Sequence, residues 1–455
     1  MSRSPSSLAR AAVLALGLVG VSAWAADAQD DPKSSDSTEP SAGAEAGAEG
    51  GESPEDLEDT VTGKRADRSA KGAKTAVAVD EEELAAFGVA LDAHAGKALP
   101  PIAYLAGGWL KVPPEFIQTC RDGLEKIFQR DYKGAKKQFD KMAVDYRGWG
   151  VGPVGQVLVW QAMMLENFDF KYESQYQVSH RRARMELEEA LAMPGNEAWE
   201  NFLMAGILGI ESIHLMRQEE YVKAINRGYE AMKAVKRTQE LAPEFTDINL
   251  GDGLFNYWVS VVSQNTSMIP NMADKREIGI QQLMMVERTA VFLRPPATLS
   301  LTFTWVEEGK KREALKSGLR NYRKYPDNII NNQVLGRVYM YNRMYEDSER
   351  IFKQVLTVDP KNQRVNYYMA RLYLRWNKLP KAEASLKAYL AFTDIDAVQR
   401  SQALYYYGSL EARRKNLDAA EKYWKEAWKL GKSKQAKRRL DRLKEKRAKS
   451  KNKGK

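Results

Sequence analysis

The chain has 455 residues, a formal net charge of +10, 44% hydrophobic and 10% aromatic residues, and one cysteine, Cys120. Such a length accommodates two or three ordinary domains or one long repeat array, with ample apolar material for a core. A lone cysteine excludes an intrachain disulfide and a cysteine-held zinc site.

The opening "MSRSPSSLAR" carries Arg3 and Arg10, the next 12 residues "AAVLALGLVGVS" are apolar or small, and Ala23-Trp24-Ala25 has a small-x-small pattern. Residues 1–25 are therefore predicted to be a cleaved secretory signal. The apolar run is shorter than the roughly 20 residues that span a bilayer. No cysteine stands near the cleavage point, so the expectation is an exported protein, periplasmic or envelope-associated, that is not a lipoprotein.

Residues 26–60 hold 12 Asp and Glu against one Lys, with hardly a large apolar side chain. They cannot bury enough surface to offset chain entropy, so residues 26–80 are predicted to be a disordered acidic linker that turns Lys/Ala-rich toward its end.

Residues 81–294 form a divergent helical region. "GLEKIFQRDYKGAKKQF" (123–139) carries Gly123, Tyr132, Ala135 and Phe139. Apolar periodicity predicts long helices from about Trp199 to Met216 and from about Glu220 to Leu241. In "LGDGLFNYW" (250–258), Leu250, Leu254, Phe255, Trp258, Val261 and Val262 share one helical stripe assigned to the core, with Gly251 expected where another helix approaches closely. Asn256 and Tyr257 fall off that stripe and are expected on the concave side. Residues 263–274 then form a loop longer than an ordinary repeat turn.

From residue 295 to 431 a period emerges. Residues 329–362 contain Leu335-Gly336, Tyr339, Ser348, Phe352 and Pro360. One period onward stand Met369-Ala370, Tyr373, Ala382 and Leu386. One period back stand Trp305, Gly309, Ala314 and Pro326. A fourth register, offset by four extra residues, runs through Leu404, Gly408, Ala420, Trp424 and Ala427. Residues 432–455 close the chain with 13 Lys and Arg against two acids, a basic tail.

These residues resemble the tetratricopeptide-repeat family, whose 34-residue unit is a pair of short antiparallel helices. The resemblance implies an all-α fold, an α-solenoid of helix pairs in a TPR-like superhelix, flanked by the disordered linker and the basic tail. Around "DINLGDGLFNYW", the loop and "REIGIQQL", the chain further resembles a branch of envelope repeat proteins distantly similar to the mitochondrial outer-membrane inclusion-clearance proteins.

Family geometry implies that recurring positions of each first helix face a concave groove. Here they are Gln333, Arg337, Tyr341, Tyr367, Arg371, Arg375, Tyr405 and Arg413, to which Asn256 and Tyr257 are added. Arginine forks suit carboxylates, and tyrosines supply stiff contact area. The groove is thus expected to take a protein or peptide partner, an acidic one. The asparagines of the chaperone-binding carboxylate clamp are replaced by Val334, Arg337, Tyr368 and Arg371, so chaperone tails are not the expected ligand.

Catalytic patterns fail. "GVGPVG" (150–155) has the glycines of a dinucleotide loop but follows a helix and contains Pro153. "DINLGDG" lacks the glycine and glutamate of a calcium loop. Glu211 and His214 have the Glu-x-x-His spacing of di-iron bundles without a second such pair. The expectation is a non-enzymatic scaffold or adaptor without cofactor, metal or nucleic-acid partner. Alternatives are an envelope tether that grips polyanions through residues 432–455, and a non-catalytic subunit of a wall- or glycan-processing enzyme. The opposite charges of linker and tail also raise an internal competitor, the linker lying on the basic groove or tail.

Overall fold

A computed structural model describes residues 99–218, 220–265 and 273–453. The signal peptide and acidic linker predicted for residues 1–80 lie outside the described residues, as do residues 266–272 of the long loop.

Every regular element among the described residues is helical. They run α1 Pro101–Leu110, α2 Pro114–Phe128, α3 Tyr132–Asp145, α4 Val151–Asn167, α5 Glu173–Leu191, α6 Glu197–Arg217, α7 Tyr221–Leu241, a 3-10 turn Thr246–Ile248, α8 Asn249–Asn265 and α9 Arg276–Thr289. There follow α10 Arg294–Glu307, α11 Lys311–Lys324, α12 Ile329–Tyr341, α13 Tyr345–Val358, α14 Gln363–Arg375, α15 Leu379–Leu390, α16 Ala397–Arg413, α17 Leu417–Gly431 and α18 Lys434–Lys453. The predicted α6 and α7 are each found within two residues of their expected ends.

The chain divides into two compact units, the first ending at Tyr368 and the second beginning at Met369, within α14. In the first, α6 packs on α7, α8 on α9, α10 on α11 and α12 on α13. In the second, α16 packs on α15 and α17, and α17 on α18. This is the consecutive helix pairing of an α-solenoid, in which each pair buries its apolar faces against neighbours.

The turn inside each pair shows the period directly. A left-handed residue ends the first helix at Gly309, Arg343 and Asn377, spaced 34 residues apart, and then at Lys415, 38 residues on. The four-residue offset read from the sequence is thus the extra length of one repeat. A second recurrence sets how closely the helices approach. A Cβ on Gly123 would lie 2.6 Å from the Phe139 ring, on Gly336 2.3 Å from Phe352, and on Gly408 2.5 Å from Trp424. In each case the ring follows its glycine by 16 residues and occupies the space a side chain would need.

Helix α8 corrects two expectations. Leu250, Leu254, Trp258 and Val261 are buried as predicted, but Phe255 is only half-buried. Close approaches fall at Gly251, where a Cβ would lie 3.1 Å from Val235 of α7, and also at Gly253, where α9 brings Gly279 against it. A Cβ on Gly279 would stand 2.7 Å from both the Gly253 carbonyl oxygen and the Tyr257 nitrogen. That crossing buries a second face of α8, and Tyr257 lies on it.

The basic tail is helical from Lys434 to Lys453. Ala436, Leu440 and Leu443 on one face are buried with Leu404, Trp424 and Ala427, while Arg442, Lys444 and Lys446 stay exposed. Arg447 bridges Asp418 and Glu421 on α17. The packed body therefore continues past residue 431, and α18 covers the apolar face that the last repeat would otherwise expose.

Candidate functional site

The residues selected for the groove fall into distinct environments. Tyr257 is 0% exposed; its hydroxyl donates to Glu308 Oε1 at 2.9 Å and reaches the Thr304 carbonyl at 3.4 Å. Burial, then the Glu308 carboxylate, push its pKa far up. It is a core residue and not part of a concave surface. Asn256 donates to Gln282 Oε1 at 2.9 Å, tying α8 to α9.

Gln333 is also buried. Its amide donates to the Glu166 carbonyl at the end of α4 at 2.7 Å and to Asn362 Oδ1 at 3.3 Å. Glu166 itself is held by Arg130 Nη2 at 2.9 Å and by the Tyr132 hydroxyl at 2.8 Å. Arg337 is 2% exposed and lies over the Tyr368 ring at 5.2 Å, with Tyr367, buried, 5.7 Å from the same ring. Tyr341 is half-buried.

In the second unit, Arg371, 2% exposed, lies over Tyr406 at 5.7 Å, and Tyr405 packs edge-on to Tyr406 at 5.1 Å. Arg413 donates to the Leu374 carbonyl at 2.7 Å and so caps the end of α14. Arg375 is exposed. Within each unit one of the selected arginines, Arg337 or Arg371, is thus laid on a ring. Arg337, Tyr367, Arg371 and Tyr257 are buried and do not belong to an open face.

The structure adds residues that sequence reasoning did not select. In the first unit a continuous column of rings and guanidinium groups runs from the end of α4 to α12. Arg217 lies over Phe170 at 4.6 Å and over Phe168 at 4.8 Å. Arg364 lies over Phe168 at 4.3 Å and over Tyr368 at 5.4 Å, and its Nε donates to the Tyr368 hydroxyl at 3.0 Å. Arg337 ends the column. Each contact is an attraction of cation for ring face, strengthened by desolvation. Burial pulls the Arg217 pKa down to about 10, still cationic at neutral pH. The one sequence signal was Tyr368, which stands where the carboxylate clamp has asparagine.

The column meets a buried polar cluster at Phe170, whose ring is 5.4 Å from His214. Tyr176 on α5 is sandwiched between His214 at 4.2 Å and His180 at 5.7 Å. His214 Nε2 pairs with Glu173 at 2.8 Å, and Glu211 takes Arg227 at 2.9 Å with His180 at 3.5 Å. Desolvation lowers both histidine pKa values, so these rings are neutral near pH 7. The Glu-x-x-His pair of the sequence is therefore split between two partners. Among the described residues no three His, Cys, Asp or Glu side chains converge as for a metal.

Asp247, from the discarded calcium-like motif, has a structural use. Its carboxylate accepts the backbone N–H groups of Val291 and Phe292 at 2.7 Å and of Leu293 at 2.9 Å, holding the turn before α10. Gly150, with φ +69, begins α4 and serves as its turn.

The tetratricopeptide-repeat family profile matches residues 339–404, from α12 into α16. No curated protein matches. Among solved structures, the human IFIT1 dimer with m7Gppp-AAAA is similar at 11% identity over 74% of this chain and 87% of that one, with a TM-score of 0.44. The human IFIT1 dimer with PPP-AAAA is similar over the same shares, at 11% identity and a TM-score of 0.43. The repeats are of the kind that serve generally as protein-interaction scaffolds.

Proposed function

We propose that the protein is an exported scaffold or adaptor of a cell envelope whose arginine-bearing repeat helices engage an acidic segment of a protein partner. The observation that supports this reading is Arg375, exposed at the end of α14, one helical turn beyond Arg371, whose guanidinium lies over Tyr406. Arg375 is open to solvent, and a guanidinium there can make forked pairs with a partner's carboxylates. Export rests on residues 1–25, and the branch resemblance around residues 247–282 agrees with an envelope protein.

A photoreactive residue at Asn377, exposed two residues after Arg375, tests the reading in cells. Capture of a discrete polypeptide with an acidic segment, lost on Arg375→Glu but kept on Arg375→Lys, is the expected result. Capture that is indifferent to both substitutions sinks it.

A tether reading is favoured by one observation, the exposed face of α18 with Arg442, Lys444 and Lys446 opposite its packed face. Charge reversal at these three positions leaves the buried face intact. Release of the protein from the envelope fraction would support the tether, and unchanged retention would remove it.

A further inference from the structure

The first unit holds a partly open cavity of about 140 Å³ between α2, α4, α6 and α7. Its wall is apolar, with Leu124, Phe139, Leu158, Phe202, Met232 and Phe292 among the lining side chains. Protein interiors pack to crystal density and leave few voids larger than a water molecule. An engineered apolar cavity of about this size, roughly 150 Å³, takes up benzene.

Two features distinguish the space from a packing fault. Gly206 of α6 lines it, and a Cβ added there would meet no atom within 4 Å. Gln161 of α4 also lines it, 4% exposed, and neither its Nε2 nor its Oε1 has a hydrogen-bond partner among the described residues. Trp199 Nε1, on the same wall, likewise lacks one. Burying an amide unpaired is costly, and an apolar residue of similar volume would avoid that cost.

The remaining polar lining restricts what could answer Gln161. The Asp247 carboxylate is occupied by three backbone amides. Burial pushes the Cys120 thiol well up, so it stays protonated. Among the described residues no Lys, Arg or His lines the cavity, so a charged head would lose its hydration with no counter-charge to replace it. An amide side chain offers one acceptor and two donors, which suits a head that both gives and accepts a hydrogen bond.

We propose that this cavity binds a small uncharged amphiphile, its hydroxyl or primary amide paired with Gln161 and its hydrocarbon body held among the apolar side chains of α2, α4 and α6. The volume fits a body of about six to eight carbons, by comparison with benzene in a cavity of similar size. The site is independent of the arginine-lined helices, so either assignment can fail without the other.

The test uses the purified full chain, with calorimetric titration and thermal melting in 1-hexanol, cyclohexane and hexanoate. Saturable 1-hexanol binding with a raised Tm is expected, and Gln161→Leu should weaken it by about tenfold, the worth of one well-made hydrogen bond, while cyclohexane uptake persists. Gly206→Leu, which fills the void, should abolish uptake of both while helical content is retained, and it serves as the test if Gln161→Leu does not fold. No saturable 1-hexanol binding, the result if the cavity holds only water, overturns the proposal. So does 1-hexanol binding unchanged in Gln161→Leu or in Gly206→Leu, or hexanoate binding as tight as that of 1-hexanol.

Discussion

The pairs α12–α13 and α2–α3 are built on the same steric joint, yet only the first displays the full repeat motif. In α12–α13, Phe352 fills the space beside Gly336, and Ser348 Oγ donates to the Gly336 carbonyl at 2.7 Å. In α2–α3, Phe139 fills the space beside Gly123, and Ala135, fully buried, stands at the position of Ser348. The α6–α7 pair departs further. Ser212 and Ala224 keep the 12-residue spacing of Gly336 and Ser348, but the bond is reversed, Ser212 Oγ donating to the Ala224 carbonyl at 2.7 Å, and Gly228 stands where the ring would be. A helix pair thus requires small residues at the crossing, while the ring and the flanking positions can change once neighbouring helices supply the packing.

The strongest way to break this comparison is to remove the rings. Phe352→Ala and Phe139→Ala should each destabilise their unit by about 3–5 kcal/mol, the usual cost of deleting a buried aromatic side chain. Denaturant unfolding of the full chain followed by circular dichroism measures both. A cost below about 1 kcal/mol for Phe139→Ala alone would show that α2–α3 is not held by the joint seen in α12–α13.

The next effect depends on pH and separates two buried sites of the first unit. Burial raises the Asp247 pKa from 3.8 to about 6, against the pull of three backbone amides and Arg294. The folded state then holds the proton more tightly than the unfolded chain. Its contribution is complete below pH 4 and is lost as pH rises through 6, about 3 kcal/mol in all. His180 and His214 act in the opposite sense. Their lowered pKa values make the unfolded state the better proton acceptor, so stability falls as pH drops below about 6.5. Asp247→Asn should remove the loss between about pH 4 and 6, and His180→Gln with His214→Gln should remove the opposing loss below about 6.5. Profiles that leave both limbs unchanged would reject these assignments.

The legibility of the chain follows the same division. The period from residue 295 onward was visible because glycine, ring and turn recur at fixed spacing, and the left-handed turns at Gly309, Arg343 and Asn377 match it residue for residue. Helices α6 and α7 were visible through apolar periodicity, which reports a buried face without naming its partner. Tyr257 was misplaced because a single-stripe reading allows a helix one buried face, whereas Gly253 and Gly279 bring α9 onto a second. Gln333 was misplaced because its amide serves the end of α4, 167 residues earlier, a pairing that local spacing does not encode. Arg364, Phe168 and Arg217 were missed for that reason too: their column joins three separate stretches of sequence.

A smaller effect sharpens the account of that column. Tyr368→Phe keeps the ring under Arg337 and Arg364 but removes the hydroxyl that accepts from Arg364 Nε at 3.0 Å. A charged donor loses one partner, so the expected cost is about 1–2 kcal/mol. Tyr368→Leu removes the π faces as well and should cost more. Equal costs for the two variants would assign the stabilisation to the hydroxyl and not to the stacked cations.

The smallest effect belongs to the second unit, where a polar joint links α15 and α16. Glu383 accepts from Arg414 Nη2 at 2.6 Å and from the Tyr407 hydroxyl at 3.3 Å. Lys387 first, then Arg414, hold its carboxyl down at about 2. The shift is large, but the cluster is open to solvent, where water and salt screen the attraction. Glu383→Gln should therefore cost no more than about 1 kcal/mol, and less as ionic strength rises. The sign is fixed by the lowered pKa: the contribution is present above the ordinary carboxylate range and is lost as pH falls toward 2. A salt-independent loss as large as that of Phe352→Ala would mean that the polar joint holds its helices as firmly as the ring joint does, and the distinction between them would not stand.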